Sequence, residues 1–263
     1  MPETVWIALY VLAAWWVATG GILVLGRRAP ATFRASLAAA TVLLILAIPV
    51  LYVASRSDTM AASCLAFAAT LVIWGWLEMS FLLGAIVGPR RAACSPGAVG
   101  WPRLREALGA ILYHELATIV GALLVAALTW QASHQTGLWT YLLLWGMRIS
   151  AKLNLYCGVP NTGEPMLPPH LRYLASFFRR GPASALFPLS LLGASAVCAM
   201  LLIAAWAAPA TGAASAQFTL LATLACLAVF EHFMLVLPMR ADAPWSFWGR
   251  SPRSLPAQPG QRR

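Results

Sequence analysis

Acidic residues are scarce in this sequence. Eight Asp and Glu stand against eighteen Lys and Arg in 263 residues, and charged residues make up only 10% of the chain while 60% are hydrophobic. With a mean hydropathy of +0.75, the polar surface is too small to wrap a domain of this size in water, which excludes a soluble globular protein. Cys64, Cys94, Cys157, Cys198 and Cys226 form no C-x-x-C pair and are odd in number, so a disulfide or zinc framework is not implied. They read as small apolar filler. The sequence also lacks internal repeats and inverted halves, which argues against a transporter built from such repeats.

What is present is seven apolar stretches of roughly the length of a bilayer span, near 5–25, 35–54, 61–87, 106–129, 137–157, 185–208 and 216–238. Hydrocarbon offers no water to backbone groups, and barrel strands would be about half as long and alternate in polarity, so these stretches must be helices. The expected fold is an all-α polytopic bundle of about seven spans. It forms one membrane domain over 1–240, with an interfacial segment near 158–184, followed by a Pro-, Gln-, Ser- and Arg-rich tail, 241–263, expected to be disordered. The first stretch follows Glu3 without a basic leader and precedes Arg27 and Arg28, so it is expected to stay attached.

The basic residues fall on one side. Assigned to the turns, seventeen lie after helices one, three, five and seven, leaving Arg56 alone on the other face. By the positive-inside rule this puts the N-terminus outside and the C-terminus in the cytoplasm. So spread, the net charge of +10 speaks for anionic lipid headgroups and against nucleic acid. Trp6, Trp130, Trp139 and Trp206 near the outer ends, and Trp101, Trp245 and Trp248 near the inner surface, agree with these boundaries.

Between helices five and six, Gly158-Val159-Pro160-Asn161 breaks the helix. Pro168-Pro169 then precedes a run opened by His170 in which Leu171, Leu174, Phe177 and Phe178 recur at helical spacing, with Arg172, Arg179 and Arg180 away from them. A short interfacial helix is expected, serving either as a connector on the headgroups or as a docking surface for another membrane subunit.

Ionisable groups inside spans cost about 2.5–3.5 kcal/mol each, which makes their positions informative. Glu78 on helix three should lie about ten residues, ~15 Å, from its inner end, and His114 and Glu115 should lie ~13 Å into helix four. Arg148 and Lys152 share a face of helix five, followed by Asn154, and Glu231 and His232 fall in the inner third of helix seven. Three readings stand open. One is a charge-paired structural network. A second is a metal site drawing on His114, Glu115, Glu231 and His232, although adjacent His-Glu pairs point ~100° apart and lack the Glu-x-x-His spacing of di-iron bundles. A third takes His114 or His232 as axial ligand to a tetrapyrrole metal. His134 falls in an outer turn and is expected to be solvated, while Gly20-Gly21 and Gly121 allow close helix packing.

The stretch Trp74-Gly75-Trp76-Leu77-Glu78-Met79-Ser80-Phe81-Leu82-Leu83-Gly84 is followed by Gly88-Pro89-Arg90-Arg91, His114-Glu115-Leu116 and Lys152-Leu153-Asn154. Leu167-Pro168-Pro169-His170-Leu171-Arg172-Tyr173-Leu174, Glu231-His232 and Leu235-Val236-Leu237-Pro238 then complete the series. In order and spacing these motifs resemble the PuhE family, membrane proteins of phototrophic proteobacteria described as photosynthetic-complex assembly proteins. The resemblance implies a place in the bacterial inner (intracytoplasmic) membrane and a role in building the reaction-centre and light-harvesting core complex. It further implies partners among core-complex subunits or pigment-synthesis proteins, with bacteriochlorophyll or a precursor as the ligand handled. It brings no catalytic residues to carry over. The alternative reading is an integral-membrane enzyme of tetrapyrrole or lipid metabolism that uses the Glu/His pocket.

Reporter fusions after Arg28, Arg105 and Arg180 should report cytoplasm, and fusions near His134 and Gly212 should report the periplasm. One reversed sign would mean a miscounted helix.

Overall fold

The computed structural model describes residues 2–209 and 211–237. Arg240 and the tail expected over 241–263 lie outside the described residues. The described residues form seven long helices: α1 Pro2–Gly26, α2 Phe33–Ala54, α3 Met60–Leu82, α4 Gly100–Leu128, α5 Thr136–Cys157, α6 Leu186–Ala207 and α7 Ala213–Met234. Among the described residues there are no strands beyond a parallel bridge between Val159 and Arg180. Six of the helices are long and apolar enough to cross a membrane. The exception is α5, which has the length but interrupts its apolar run with Arg148, Lys152 and Asn154. Its place in the bundle therefore depends on partners for those groups.

Two helices occupy the centre. About half of the apolar stretch of α3 and of α7 is buried, 44% and 50%, against 17% for α1, α2 and α6, which present their remaining faces outward. α3 touches α1, α2, α4, α5 and α7, and α6 packs chiefly on α7. Side-chain hydrogen bonds tie the helices together: Trp76 Nε1 donates to Thr41 Oγ1 at 2.9 Å, and the fully buried Tyr141 hydroxyl donates to the Thr118 carbonyl at 2.7 Å. Gly121 is needed for the latter approach, because a Cβ there would collide with the Tyr141 hydroxyl. Cys198 and Cys226 meet across α6 and α7 with Sγ atoms 3.4 Å apart, both as thiols.

The helix ends depart from the hydropathy reading in one instructive place. Residues 83–87 are apolar yet not helical, since α3 stops at Leu82 and the chain turns at Gly84 with φ +78°. The chain then runs back along α4, where the Val87 carbonyl accepts the His114 N–H at 3.0 Å and the Gly109 carbonyl accepts the Arg90 N–H at 3.2 Å. Irregular backbone of this kind is stable at such depth only when covered by protein, and Val87 is buried against Ala110, Phe81 and Leu171. α4 begins six residues earlier than the apolar pattern suggests and extends past the end of α3. Its first turns are held by Arg103, which donates to the Phe177 carbonyl at 2.8 Å and lies over the Tyr156 ring at 4.0 Å.

At the opposite end His134 is buried, where a solvated turn was expected. Its Nε2–H donates to the Ala54 carbonyl at 3.1 Å, and its Nδ1 accepts from the Thr136 hydroxyl at 2.9 Å. Burial pushes the imidazole below its usual range, opposed by the Ala54 bond and Asp58. His134 thus fastens the α4–α5 turn to the end of α2. The turn was misread because a lone His in a short polar loop gives no sign of what will cover it.

Gly88 makes the tightest approach of the returning strand, and a Cβ there would sit 2.6 Å from the Ala110 carbonyl carbon. Since that neighbour is backbone and cannot rotate away, Gly88→Ala should destabilise the detergent-solubilised protein by about 1–3 kcal/mol. Thermal unfolding should show a lower midpoint. Gly97→Ala, at a position with no atom within 4 Å of the added carbon, tests the strain of its positive φ alone and should cost less.

Candidate functional site

The intramembrane polar residues do converge, but as separate pairs. Arg148 Nη2 on α5 donates to Glu78 Oε2 on α3 at 2.6 Å. The second oxygen of Glu78 has no hydrogen-bond partner and lies 3.8 Å from His114 Nε2 on α4. His114 is fully buried, neither ring nitrogen has a partner, and its ring rests on Phe81 with centroids 4.5 Å apart. One turn along α5, Lys152 Nζ donates to Glu115 Oε1 at 2.5 Å. Glu231 and His232 make other contacts. Glu231 Oε1 accepts from Trp15 Nε1 on α1 at 2.7 Å. His232 donates through Nδ1 to the Ala228 carbonyl at 2.9 Å and accepts at Nε2 from the Ser150 hydroxyl at 2.8 Å. Asn154 turns toward α6, where its side-chain N–H groups reach the Ser150 carbonyl and Ser190 Oγ, both at 2.9 Å.

Depth is one correction. Glu78 lies one turn from the end of α3, about 6 Å along the axis instead of ~15 Å, because the helix stops at Leu82. His114 sits about 21 Å into α4, because that helix starts at Gly100. The two still meet, since α4 overshoots α3 and the strand 83–90 fills the step.

A cavity of about 520 Å³ opens beside these groups, walled by α1, α3, α4, α5 and α7. Its lining is mostly apolar and aromatic, with Glu78, Arg148, Lys152, Glu231 and His232 as the charged and imidazole groups. His114, Glu115 and Asn154 do not line it. The metal candidates are therefore divided: His232 lines the cavity with both nitrogens engaged, whereas His114 has free nitrogens but faces Glu78 and Phe81. Among the described residues no three His, Cys, Asp or Glu side chains form a metal-holding group. The same division separates a free imidazole from the cavity in which a tetrapyrrole would need it.

The connection after α5 closes one end of the cavity. Pro169–Phe177 is a 3-10 helix, so its apolar residues recur at every third position, and Leu171, Leu174 and Phe177 are buried on Phe81, Val87 and Ala110. The apolar face is spent on the protein's own helices. His170 donates to the Leu82 carbonyl at 2.9 Å and packs on Gly84, where a Cβ would lie 3.1 Å from its ring. Arg172, Arg179 and Arg180 are exposed, and the backbone of 179–181 pairs with Leu155 and Val159. Burial pushes the Tyr173 phenol above its ordinary value, with Arg91 opposing.

Three contributors escaped the sequence reading: Trp15, Ser150 and Ser190. None carries charge, and Trp15 sits in an otherwise generic apolar helix, so only the interhelical contact reveals them.

A family model described as "Protein of unknown function (DUF3623)" matches residues 1–256. The chain belongs to the DUF3623 family. Another protein of this kind, described as an uncharacterized 30.4 kDa protein in puhA 5'region of Rhodobacter capsulatus, is 35% identical over 254 residues, covering 92% of this chain and 89% of that one. Such coverage carries the family likeness across the whole bundle. No solved structure matches.

Glu78→Ala would strand Arg148 in the bundle, a change that typically costs about 3–5 kcal/mol. Protein yield and the thermal midpoint should both fall sharply. The double variant Glu78→Gln with Arg148→Gln should recover most of the loss, and equal damage in single and double variants would show that the pair does not hold the helices.

Proposed function

We propose that this multi-pass membrane protein assists assembly of a photosynthetic reaction-centre and light-harvesting core complex in the bacterial inner (intracytoplasmic) membrane. The observation that carries the reading is the relative described by its place in the puhA 5' region, joined to the motif series that resembles the PuhE family. The cavity supports it physically, because a bundle with room for an apolar molecule suits a protein that receives or presents bacteriochlorophyll or a precursor. With the N-terminus outside, the exposed Arg172, Arg179 and Arg180 would face the cytoplasmic headgroups, within reach of anionic lipid and of core-complex subunits or pigment-synthesis proteins. One membrane domain over 1–240 and a cytoplasmic tail complete this picture.

The competing reading is an enzyme of tetrapyrrole or lipid metabolism. What favours it is Glu231, a carboxylate exposed to an apolar cavity beside His232. Pigment chemistry separates the two. Deleting the gene should lower reaction-centre and core-antenna absorbance with structural-gene transcripts unchanged and an ordinary precursor profile on chromatography. A single accumulated tetrapyrrole intermediate, reproduced by Glu231→Gln or His232→Gln at normal protein levels, would overturn assembly in favour of catalysis.

A further inference from the structure

The cavity's wall has an unusual balance of charge. Both cations in it already hold a carboxylate, Arg148 with Glu78 and Lys152 with Glu115, and Glu231 adds a third carboxylate. An oxyanion entering this space would have to displace a seated carboxylate and would add negative charge beside Glu78 and Glu231 in a low-dielectric setting. Phosphate, diphosphate and free fatty-acid headgroups are therefore disfavoured. Hydrogen-bond donors, however, are in surplus. Arg148 uses Nη2 on Glu78 and its Nε is enclosed, so the donors on offer to the cavity are the remaining Nη N–H groups. Its side chain is 38% exposed although helices surround it, because what it exposes is cavity wall. A guanidinium offers five N–H donors and no acceptor, so the group that fits is a neutral oxygen acceptor.

The ends of the cavity differ. Thr162, Met166, Leu167, Leu174 and Phe177 close it where α3 stops. α1 and α4 both line it with α3 packed between them, and Ala18 on α1 and Leu108 on α4 are exposed at its edge.

We propose that the cavity binds an uncharged, carbonyl-bearing hydrophobic molecule, its carbonyl oxygen accepting from the N–H groups of Arg148 that face the cavity. Quinones and ester- or ketone-bearing chlorins share this chemistry. The site concerns the cavity just described but is read out on purified protein, so it stands or fails separately from the assembly reading.

Trp15 and Trp74 line the cavity and report occupancy by fluorescence quenching. The full chain in nanodiscs is titrated with a decyl-substituted benzoquinone and, separately, with methyl pheophorbide, and palmitate and decyl phosphate are tested as competitors. At least one uncharged probe should saturate at one per protein, and the one that binds tighter identifies the source. Gly75→Leu fills the cavity, since a Cβ at Gly75 meets nothing closer than Ile22 at 4.0 Å, and should weaken that binding at least tenfold. Gly146→Leu, on the open face of α5 away from the cavity, should leave it unchanged. Arg148→Lys keeps a cation for Glu78 but replaces the forked five-donor guanidinium with a three-donor ammonium drawn onto the carboxylate, and should weaken binding about tenfold. Failure of both uncharged probes to saturate, displacement by equimolar palmitate or decyl phosphate, or unchanged affinity in Gly75→Leu would overturn the site. Unchanged affinity in Arg148→Lys would overturn the assignment of the polar head.

Discussion

The pairing of Arg148 with Glu78 and of Lys152 with Glu115 is the constraint on which the arrangement turns. α5 is too polar to be stable against lipid by itself, and each unpaired charge would cost several kcal/mol there. By satisfying them from α3 on one side and α4 on the other, the bundle fixes the rotation of three helices at once. The apolar contacts then follow, with Tyr141 reaching Thr118 past Gly121 and α7 settling beside α3 and α5. Buried ion pairs are often neutral in net stability, and their value here lies in the single register they permit.

The same pairing shapes the cavity. Because the cations are held against carboxylates, their long stems line open space and their spare donors remain available, in a wall that is otherwise mostly apolar and aromatic. The 3-10 segment Pro169–Phe177 seals one end with the apolar residues whose spacing reads as an interfacial helix. Site and support are thus built from the same elements, and the arginines beside the seal stay exposed for contacts outside the protein.

Much of this was legible from residue order. Seven helices emerge from the hydropathy pattern, and the costly residues Glu78, Glu115, Arg148 and Lys152 mark themselves by their rarity in apolar surroundings. Boundaries were less legible where protein substitutes for lipid: 83–87 reads as helix because Leu83, Ile86 and Val87 are apolar, but that apolarity serves burial against α4. The partners of charged groups were invisible when they were neutral, as with Trp15 and Ser150, and His134 was misjudged because its hydrogen bond to the distant Ala54 carbonyl cannot be seen in a short loop. The spacing of Leu171, Leu174 and Phe177 fits a 3-10 turn as well as an α-helix, and only packing decides between them.

The order of the charged segments along the chain has a consequence for biogenesis. Glu78 and Glu115 belong to α3 and α4, which leave the ribosome before α5 does. When Arg148 and Lys152 reach the translocation channel, their counter-charges are already in the bilayer, waiting at matching depth. The acidic helices can enter singly, each carrying a single carboxylate within its long apolar run, whereas α5 has a receptive surface only once both have arrived. Vectorial synthesis thus supplies the template for the least hydrophobic helix, and reversing that order in a permuted chain would present the translocon with α5 before anything could neutralise it.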